Sequence, residues 1–314
     1  MKLAQANFLG LRGLRDEKLD FLDKTSRMPA NFIVLTGPSA SGKTRTLEAL
    51  LMAKEAVAPY AAGASVEGWH RDGVHAAKVV LTWWLNAEER AASGAPEPFV
   101  TTEAILREDG IQVDADEGVL SVLERYRHDE AFGKVEYFSD SRRLLSYGPS
   151  HGTSEMEQAG LRLETDPRKY GFVPKFIQGL PRQPRRQGAF AELLARLAPT
   201  LRYAPGELPE ECFRSNDAAP VAYHALSSSE ADAVIFAATA VMLGLSHSVV
   251  LIDRPDLHLG FDRLGAYLDA LTTLGADNQL IVASPNAAIG SAVHGARIIS
   301  LGGASARSIV PPPP

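Results

Sequence analysis

One segment near the start of the chain has the residue types and spacing of a phosphate-binding loop. Residues 37–44 match the pattern G-x-x-x-x-G-K-[ST]. Glycines allow backbone angles that turn successive N–H groups toward one point at a helix N-terminus, where a polyphosphate is stabilised. We expect Lys43 to contact the β and γ phosphates of ATP and the Thr44 hydroxyl to bind Mg²⁺. An arginine at position 46, just past the loop, is considered as a further contact and is given no binding role. The predicted nucleotide-binding residues are Gly37, Pro38, Ser39, Ala40, Ser41, Gly42, Lys43 and Thr44.

A carboxylate near the other end of the chain is the second candidate. Asp253 ends the apolar run 248–253, which predicts a buried strand. An aspartate at the carboxyl end of a strand can hold magnesium through water, or it can cap the helix that follows. Because a phosphate loop is also present, we predict that Asp253 and Lys43 are catalytic and that Thr44 and Asp253 lie on the metal side.

Short strands and helices must position these residues. Residues 32–36 predict a buried strand that enters Gly37, and residues 44–53 predict the next helix. Strands that alternate with helices favour a parallel sheet. The other predicted strands are 248–253, 279–283 and 297–301, and the helices between them are 260–274 and 287–293.

The middle of the chain has a different pattern. Residues 78–85 and 101–106 predict an antiparallel pair, and residues 187–197 predict a helix. The basic stretch 181–186 is typical of a solvated loop rather than a nucleic-acid patch. After the strand-like residues 135–138, Arg142 and Arg143 could contact phosphate or a partner, and we expect them instead to form surface ion pairs.

Composition limits the classes of function. The formal net charge of −6 provides no global positive field, so DNA or RNA binding is possible but is not indicated by charge. A single cysteine, Cys212, cannot form an internal disulfide and is expected to be an inert buried thiol in a reducing compartment. No window approaches a membrane span, so we expect a cytoplasmic protein without membrane contact.

Three further motifs carry a family resemblance. Residues 10–14 read G-L-R-G-L, residues 226–230 read L-S-S-S-E, and residues 253–259 read D-R-P-D-L-H-L. Together with the phosphate loop, they resemble ABC-type ATPases of the structural-maintenance, RecF and overcoming-lysogenization-defect group, often called AAA-15 or AAA-21. Their patterns are N-F-[RK]-G-F, L-S-S-G-E and D-E-P-E-L-H-L. The resemblance is specific at the two ends of the chain only.

This resemblance implies a fold, a ligand and partners. The fold class would be an α/β P-loop NTPase, an ABC-type ATPase head with a mainly parallel core sheet, an antiparallel β lobe and an inserted helical region. Arg12 would lie close to ATP. A second subunit, identical or related, would meet the γ-phosphate in trans, and a separate effector protein would act in DNA maintenance or bacterial defence. The signature residues implied in trans are Ser227, Ser228, Ser229 and Glu230.

The chain departs from the family at catalytic positions. Arg254 replaces the glutamate that orients water, and Ser284 lies where the switch histidine is expected. We therefore expect ATP binding with slow hydrolysis, with Asp256 or Glu230 as the nearby carboxylates. His258 is expected to pack structurally. The alternatives are a nucleotide-binding scaffold that never hydrolyses ATP and, disfavoured by the signature-like segment, a small-molecule P-loop kinase.

The chain is expected to form a single ABC-type head over residues 1–314. Residues 1–60 would hold the N-terminal strands, the P-loop and the first helix, and 61–222 the antiparallel lobe and the helical insertion. Residues 223–310 would contain the signature helix, the strand of Asp253 and the C-terminal strands. Residues 311–314 would be a tail.

Overall fold

The computed structural model describes residues 1–61, 67–145, 154–161, 165, 167–206, 211–286 and 288–302. The strands are β1 (Lys2–Leu9), β2 (Glu17–Asp20), β3 (Phe32–Thr36), β4 (Ala77–Trp84), β5 (Phe99–Arg107), β6 (Gly110–Asp114), β7 (Val135–Phe138), β8 (Leu201–Tyr203), β9 (Phe213–Ser215), β10 (Pro220–Val221), β11 (Val249–Asp253), β12 (Gln279–Ala283) and β13 (Arg297–Ser300). The helices are α1 (Lys43–Val57), α2 (Ala87–Ser93), α3 (Glu117–Leu123), α4 (Glu155–Leu161), α5 (Val173–Gly179), α6 (Pro184–Leu197), α7 (Ser228–Leu243), α8 (Phe261–Leu271) and α9 (Ile289–Ala292). The tail 311–314 lies outside the described residues.

A parallel sheet with strand order β13-β3-β12-β11-β7 positions the predicted site. Its apolar residues alternate between two cores because successive strand side chains point to opposite faces. Val249 and Leu251 face the core shared with α1 and the antiparallel sheet. Val250 and Ile252 face the core shared with α5, α6, α7 and α8. Burial on both faces explains why β11 is uniformly apolar until Asp253.

An antiparallel sheet with strand order β2-β1-β4-β5-β6 covers one side of α1. Strands β4 and β5 form the predicted antiparallel pair, with Leu81 opposite Thr102. Alternate β4 residues are buried, and the buried Trp83 indole donates a 3.0 Å hydrogen bond to the Thr102 hydroxyl. The predicted α/β fold, with a parallel sheet and an antiparallel lobe, is therefore confirmed.

Helices α5 to α7 pack on the other face of the parallel sheet. Helix α7 is apolar around most of its circumference because α5, α6 and the sheet surround it. The loop predicted at 181–186 is wrong: Leu180–Arg182 form a 3₁₀ turn and Pro184 begins α6. Proline suits this first helical position because its missing N–H has no helical partner there. Cys212 is buried, as predicted, and accepts a hydrogen bond from the Tyr223 hydroxyl at 3.2 Å.

No helix in the described part of the chain combines the length and the apolar composition needed to cross a membrane.

Candidate functional site

The P-loop, residues 37–44, connects β3 to α1 at the carboxyl edge of the parallel sheet. Gly37 has φ +148°, and a Cβ there would lie 2.3 Å from the Leu301 carbonyl oxygen. Gly42 has φ +93° and precedes α1 without a side-chain cap. The first N–H groups of α1 have no partner within the helix, so this end is suited to an anion. Glycine is required at both positions because a side chain would clash or strain the loop.

The Lys43 ammonium lies within the P-loop. It donates to the Gly37 carbonyl at 2.9 Å, the Pro38 carbonyl at 2.7 Å and the Ser41 hydroxyl at 3.4 Å. Burial lowers the pKa of Lys43, the nearby Asp253 opposes that change, and Arg254 lowers it further. The loop therefore holds a cation beside the N-terminus of α1, as phosphate binding requires.

Position 46, in the first turn of α1, carries a threonine and not the arginine considered there. Thr46 is fully buried, and its hydroxyl donates to the Gly42 carbonyl at 2.9 Å. Such a bond to the carbonyl four residues earlier occupies the hydroxyl within the helix itself. The arginine of this segment is the preceding residue, Arg45. Thr46 therefore stabilises the start of α1 from inside.

Thr44 and Asp253 meet between the P-loop and the end of β11. The Thr44 hydroxyl donates a 2.6 Å hydrogen bond to Asp253 Oδ2. Asp253 is buried, and this burial raises its pKa while the hydrogen bond from Thr44 acts in the opposite direction. Hard cations prefer oxygen ligands, so this hydroxyl and carboxylate fit Mg²⁺ shared with ATP phosphates.

The turn after Asp253, residues 253–256, is here called the metal-side turn. Arg254 adopts a left-handed conformation with φ +49°, and its N–H donates to the Ala283 carbonyl at 2.8 Å. Ser284 is buried and donates from its hydroxyl to Asp256 Oδ1 at 2.8 Å. The structure thus brings together Asp253, Arg254, Asp256 and Ser284, and it places one predicted substitute carboxylate, Asp256, against Ser284.

The signature segment, residues 226–230, begins α7. Ser227 caps this helix: its hydroxyl accepts from the Glu230 N–H at 3.4 Å, and its own N–H donates to Glu230 Oε2 at 2.9 Å. The other predicted substitute carboxylate, Glu230, is therefore held at the cap. Ser228 is exposed, and the Ser229 hydroxyl lies 3.3 Å from that of Ser227.

A cavity of about 700 Å³ lies beside the start of α7. Arg143, His224, Ser228 and His258 are among the residues that line it. The expectation that His258 packs structurally is wrong, because its side chain is exposed in the turn that leads to α8. Leu226 and Leu257 also line the cavity, so Ser228 opens onto a surface with both apolar and basic side chains.

The segment containing Arg12 lies against the P-loop, as a turn after β1. The Arg12 N–H donates to the Trp69 carbonyl at 2.9 Å, and the Arg12 carbonyl accepts from Arg45 Nε at 3.3 Å. Arg45 stacks on the Trp69 ring, with the guanidinium carbon 3.4 Å from the ring centroid. A Cβ on Gly42 would lie 3.0 Å from Leu14. The Arg12 side chain is exposed beside this junction.

Arg142 is a residue whose position the sequence reasoning predicted incorrectly. Its side chain is fully buried, not at the surface, and it forms an ion pair with Asp232 at 3.2 Å. It also donates to the Asp253 carbonyl at 2.7 Å and to the Arg254 carbonyl at 3.0 Å. Arg142 lies four residues after the end of β7. This position would have indicated a contact with the end of β11 only if the pairing of β7 with β11 had been known. Arg143, in contrast, is exposed.

The fold matches solved head domains over nearly its whole length. An Smc head bound to the C-winged helix domain of ScpA has a TM-score of 0.58 and 15% identity, covering 96% of this chain and 94% of that chain. The SMC head domain from Thermotoga maritima has a TM-score of 0.53 and 14% identity, with coverages of 96% and 94%. The recombination mediator protein RecF, of the RecFOR pathway, has a TM-score of 0.53 and 12% identity, with 95% of each chain covered.

No protein-family model matches the chain, and no curated protein matches it. The structural matches nevertheless define the class of fold: an α/β P-loop head of the SMC and RecF kind, in which the motifs at both ends of the sequence lie at one edge of the sheet. The resemblance that those motifs predicted is confirmed at the level of the fold.

Proposed function

We propose that this chain is an ATP-binding ABC-type ATPase subunit that works as an ATP-dependent dimerising switch. The observation that carries the proposal is the 2.6 Å contact between Thr44 in the P-loop and Asp253 at the end of β11. It joins the two sequence motifs that would hold ATP and Mg²⁺. When bound, the metal would neutralise charge on the phosphates, while Lys43 and the N-terminus of α1 would orient them.

The exposed start of α7 supports the dimerising part of the proposal. Ser228 presents its hydroxyl and a helix N-terminus to an open cavity. An ATP molecule held by the P-loop of a second copy, or of a related chain, would complete this surface. Because only ATP carries a γ-phosphate, ATP and not ADP would promote association.

Slow hydrolysis follows from the charge of the metal-side turn. Arg254 carries a guanidinium, which cannot accept a proton from attacking water. Asp256 is hydrogen-bonded to Ser284, and Glu230 is bonded at the helix cap. The ATP-bound state of the switch would therefore be long-lived.

A separate effector protein would bind the ATP-bound state of the switch. The Smc head among the solved structures is bound to a domain of ScpA, and RecF is a recombination mediator protein. By analogy, we place this chain in the cytoplasm, with a protein partner, in DNA maintenance or bacterial defence. DNA or RNA remains a possible further partner that the net charge of −6 does not favour.

Light scattering of the purified chain in its apo, ADP-bound and ATP-bound states tests the proposal. We expect the mass to double with ATP and Mg²⁺ only, and a Lys43→Ala variant to stay monomeric. The same mass in all three states would refute a switch that pairs two copies of this chain. Purification of the native complex with ATP or ADP would then identify a protein that is retained with ATP alone.

The second candidate function is a scaffold that binds ATP and never hydrolyses it. Ser284, in place of a switch histidine, and its bond to Asp256 favour this alternative. Turnover of the purified protein separates the two functions, because the switch releases phosphate slowly whereas the scaffold releases none. The measurement is made with and without DNA or lysate partners.

A further inference from the structure

We propose that Arg142 is a positioning residue that ties the metal-side turn to the first turns of the signature helix α7. This inference rests on the proposed function, since it concerns how the metal side and the dimer surface act together. Arg142 does not belong to the P-loop or to the signature segment. It contacts both the metal-side turn, proposed for metal binding, and helix α7, proposed for dimerisation.

The guanidinium of Arg142 collects groups from three elements. One terminal nitrogen donates to the Ser139 carbonyl, just after β7, and to the Asp253 carbonyl at 2.7 Å. The other donates to the Arg254 carbonyl at 3.0 Å and to Asp232 Oδ2, on α7, at 3.2 Å. The side chain thus connects the ends of two neighbouring strands to a helix.

The surroundings make this connection stiff. The side chains of Arg142 and Asp232 are 0% and 5% exposed, so water does not weaken their ion pair. The Phe236 ring, one turn further along α7, lies 5.2 Å from the guanidinium carbon. Removing the guanidinium would take a buried donor away from the Asp253 carbonyl and leave the Arg254 carbonyl with the Leu257 N–H at 3.2 Å, at a point where Arg254 already has a strained left-handed φ.

A displacement of α7 would therefore be transmitted to Asp253. Ser228 and Asp232 lie one turn apart on α7, so a phosphate docked at Ser228 would act on the same helical segment that Arg142 contacts. Arg142 donates a hydrogen bond to the backbone carbonyl of Asp253, and the carboxylate of Asp253 contacts Thr44. Docking at the dimer surface and metal binding in the same subunit should consequently be coupled.

Lys134 provides a matched control at the opposite end of the same two elements. It is a buried cation just before β7, and its ammonium donates to the carbonyls of Leu243 and Gly244, at the end of α7, each at 3.0 Å. Lys134 and Arg142 both bond α7 to the β7 region, but at opposite ends of the helix. Only the loss of Arg142 touches the metal-side turn.

The experiment compares Arg142→Met, Arg142→Lys and Lys134→Met with wild type. The first readout is the gain in ATP affinity when Mg²⁺ replaces EDTA, measured by titration calorimetry at concentrations where the protein is monomeric. The second readout is the ATP-dependent increase in mass by light scattering. We expect Arg142→Met to lose at least tenfold of the Mg²⁺ gain and the increase in mass, and Arg142→Lys to recover part of both. Lys134→Met should keep the Mg²⁺ gain within twofold and still associate.

Asp232→Asn keeps the inference falsifiable if Arg142→Met does not fold. It removes the negative charge that pairs with Arg142 on α7 but leaves the carbonyl contacts, so the Mg²⁺ gain should stay within about threefold while ATP-dependent association weakens at least tenfold. A wild-type Mg²⁺ gain in folded Arg142→Met overturns the inference and leaves the proposed function intact. Equal behaviour of Asp232→Asn and Lys134→Met in both readouts also overturns it. Wild-type protein that binds no ATP overturns both proposals.

Discussion

The P-loop and the signature segment each lead into a helix N-terminus, but the two N-termini differ in their capping. At the start of α1, Gly42 provides no side-chain cap, and Lys43 and Thr44 are bonded within the loop and to Asp253. At the start of α7, Ser227 and Glu230 form a complete capping box while Ser228 faces outward. The first N–H groups of α1 are therefore left for an anion, while its side chains are bonded within the chain. The start of α7 has its N–H groups capped and exposes Ser228 to a partner.

This difference suggests a division of labour between the two helices. The uncapped α1 keeps its first N–H groups for phosphate, and Lys43 adds a full positive charge, so the P-loop should determine ATP affinity. The capped α7 has fewer free donors and no cation of its own in the segment 226–230. It should contribute little to binding in one subunit and act mainly when a second subunit brings its nucleotide.

Lys43→Ala should cause the largest change. The substitution removes the cation that faces the phosphates but leaves the buried strand β3 intact, so ATP affinity should fall at least about 100-fold in a folded protein. Titration calorimetry measures the affinity, and circular dichroism checks the fold. Lys24→Ala, at an exposed lysine outside the loop, is the control. Unchanged ATP affinity in folded Lys43→Ala would show that residues 37–44 do not bind the nucleotide.

Ser228→Arg should separate association from ATP binding. The long cationic side chain blocks the exposed start of α7, so ATP-dependent association should be lost, while ATP affinity of the monomer should change less than about threefold. Light scattering with ATP and Mg²⁺ measures the association. Ala91→Arg adds the same group to an exposed position of α2 and should associate normally. If Ser228→Arg also associates normally, the signature segment is not the dimer surface.

The parallel sheet was predictable from the sequence, and so were the P-loop and the strand that ends at Asp253, because each of them is a local pattern. An apolar strand that enters a glycine-rich loop, or ends at Asp253, is visible in a short window. Arg142 was not predictable in this way. Its burial depends on Asp253, at the end of the strand that pairs with β7, and on Asp232 of α7, which lie 111 and 90 residues away along the chain.

The same reason explains the other features that the sequence did not predict correctly. The bond between Ser284 and Asp256 joins two turns that follow different strands, and neither residue type reveals it. His258 matched a family motif but is exposed, because a motif letter does not specify on which side of a turn a side chain lies. Contacts between elements, unlike the elements themselves, required the tertiary structure.

Arg254→Glu should have an intermediate effect on catalysis, in the region between the two helices. A carboxylate can orient water where a guanidinium cannot, so single-turnover hydrolysis should rise about 100-fold, the lower end of the range of about 10²- to 10⁴-fold for a general base, because the switch histidine is also missing. The rate is measured at saturating ATP and Mg²⁺, with Lys43→Ala as background. Rapid hydrolysis by wild type that disappears in Asp256→Asn or Glu230→Gln would show that another carboxylate acts.

Ser227→Ala should have the smallest effect, and it tests whether the start of α7 is a cap, a binding surface or both. The Ser227 hydroxyl accepts from the Glu230 N–H, so its loss should lower the free energy of unfolding by about 1 kcal/mol. Ser228 lies one residue inside the helix and has no capping role, so Ser228→Ala should change stability by less than about 0.5 kcal/mol.

Urea unfolding of both variants measures these changes, and light scattering with ATP measures association. If the two serines have separate roles, Ser227→Ala is less stable but still associates, and Ser228→Ala is equally stable but associates more weakly. The reverse pairing would contradict the assignment of Ser227 as the cap. Loss of association in proportion to lost stability in both variants would mean that the segment 226–230 only begins a helix, and that the dimer surface must be sought elsewhere on the head.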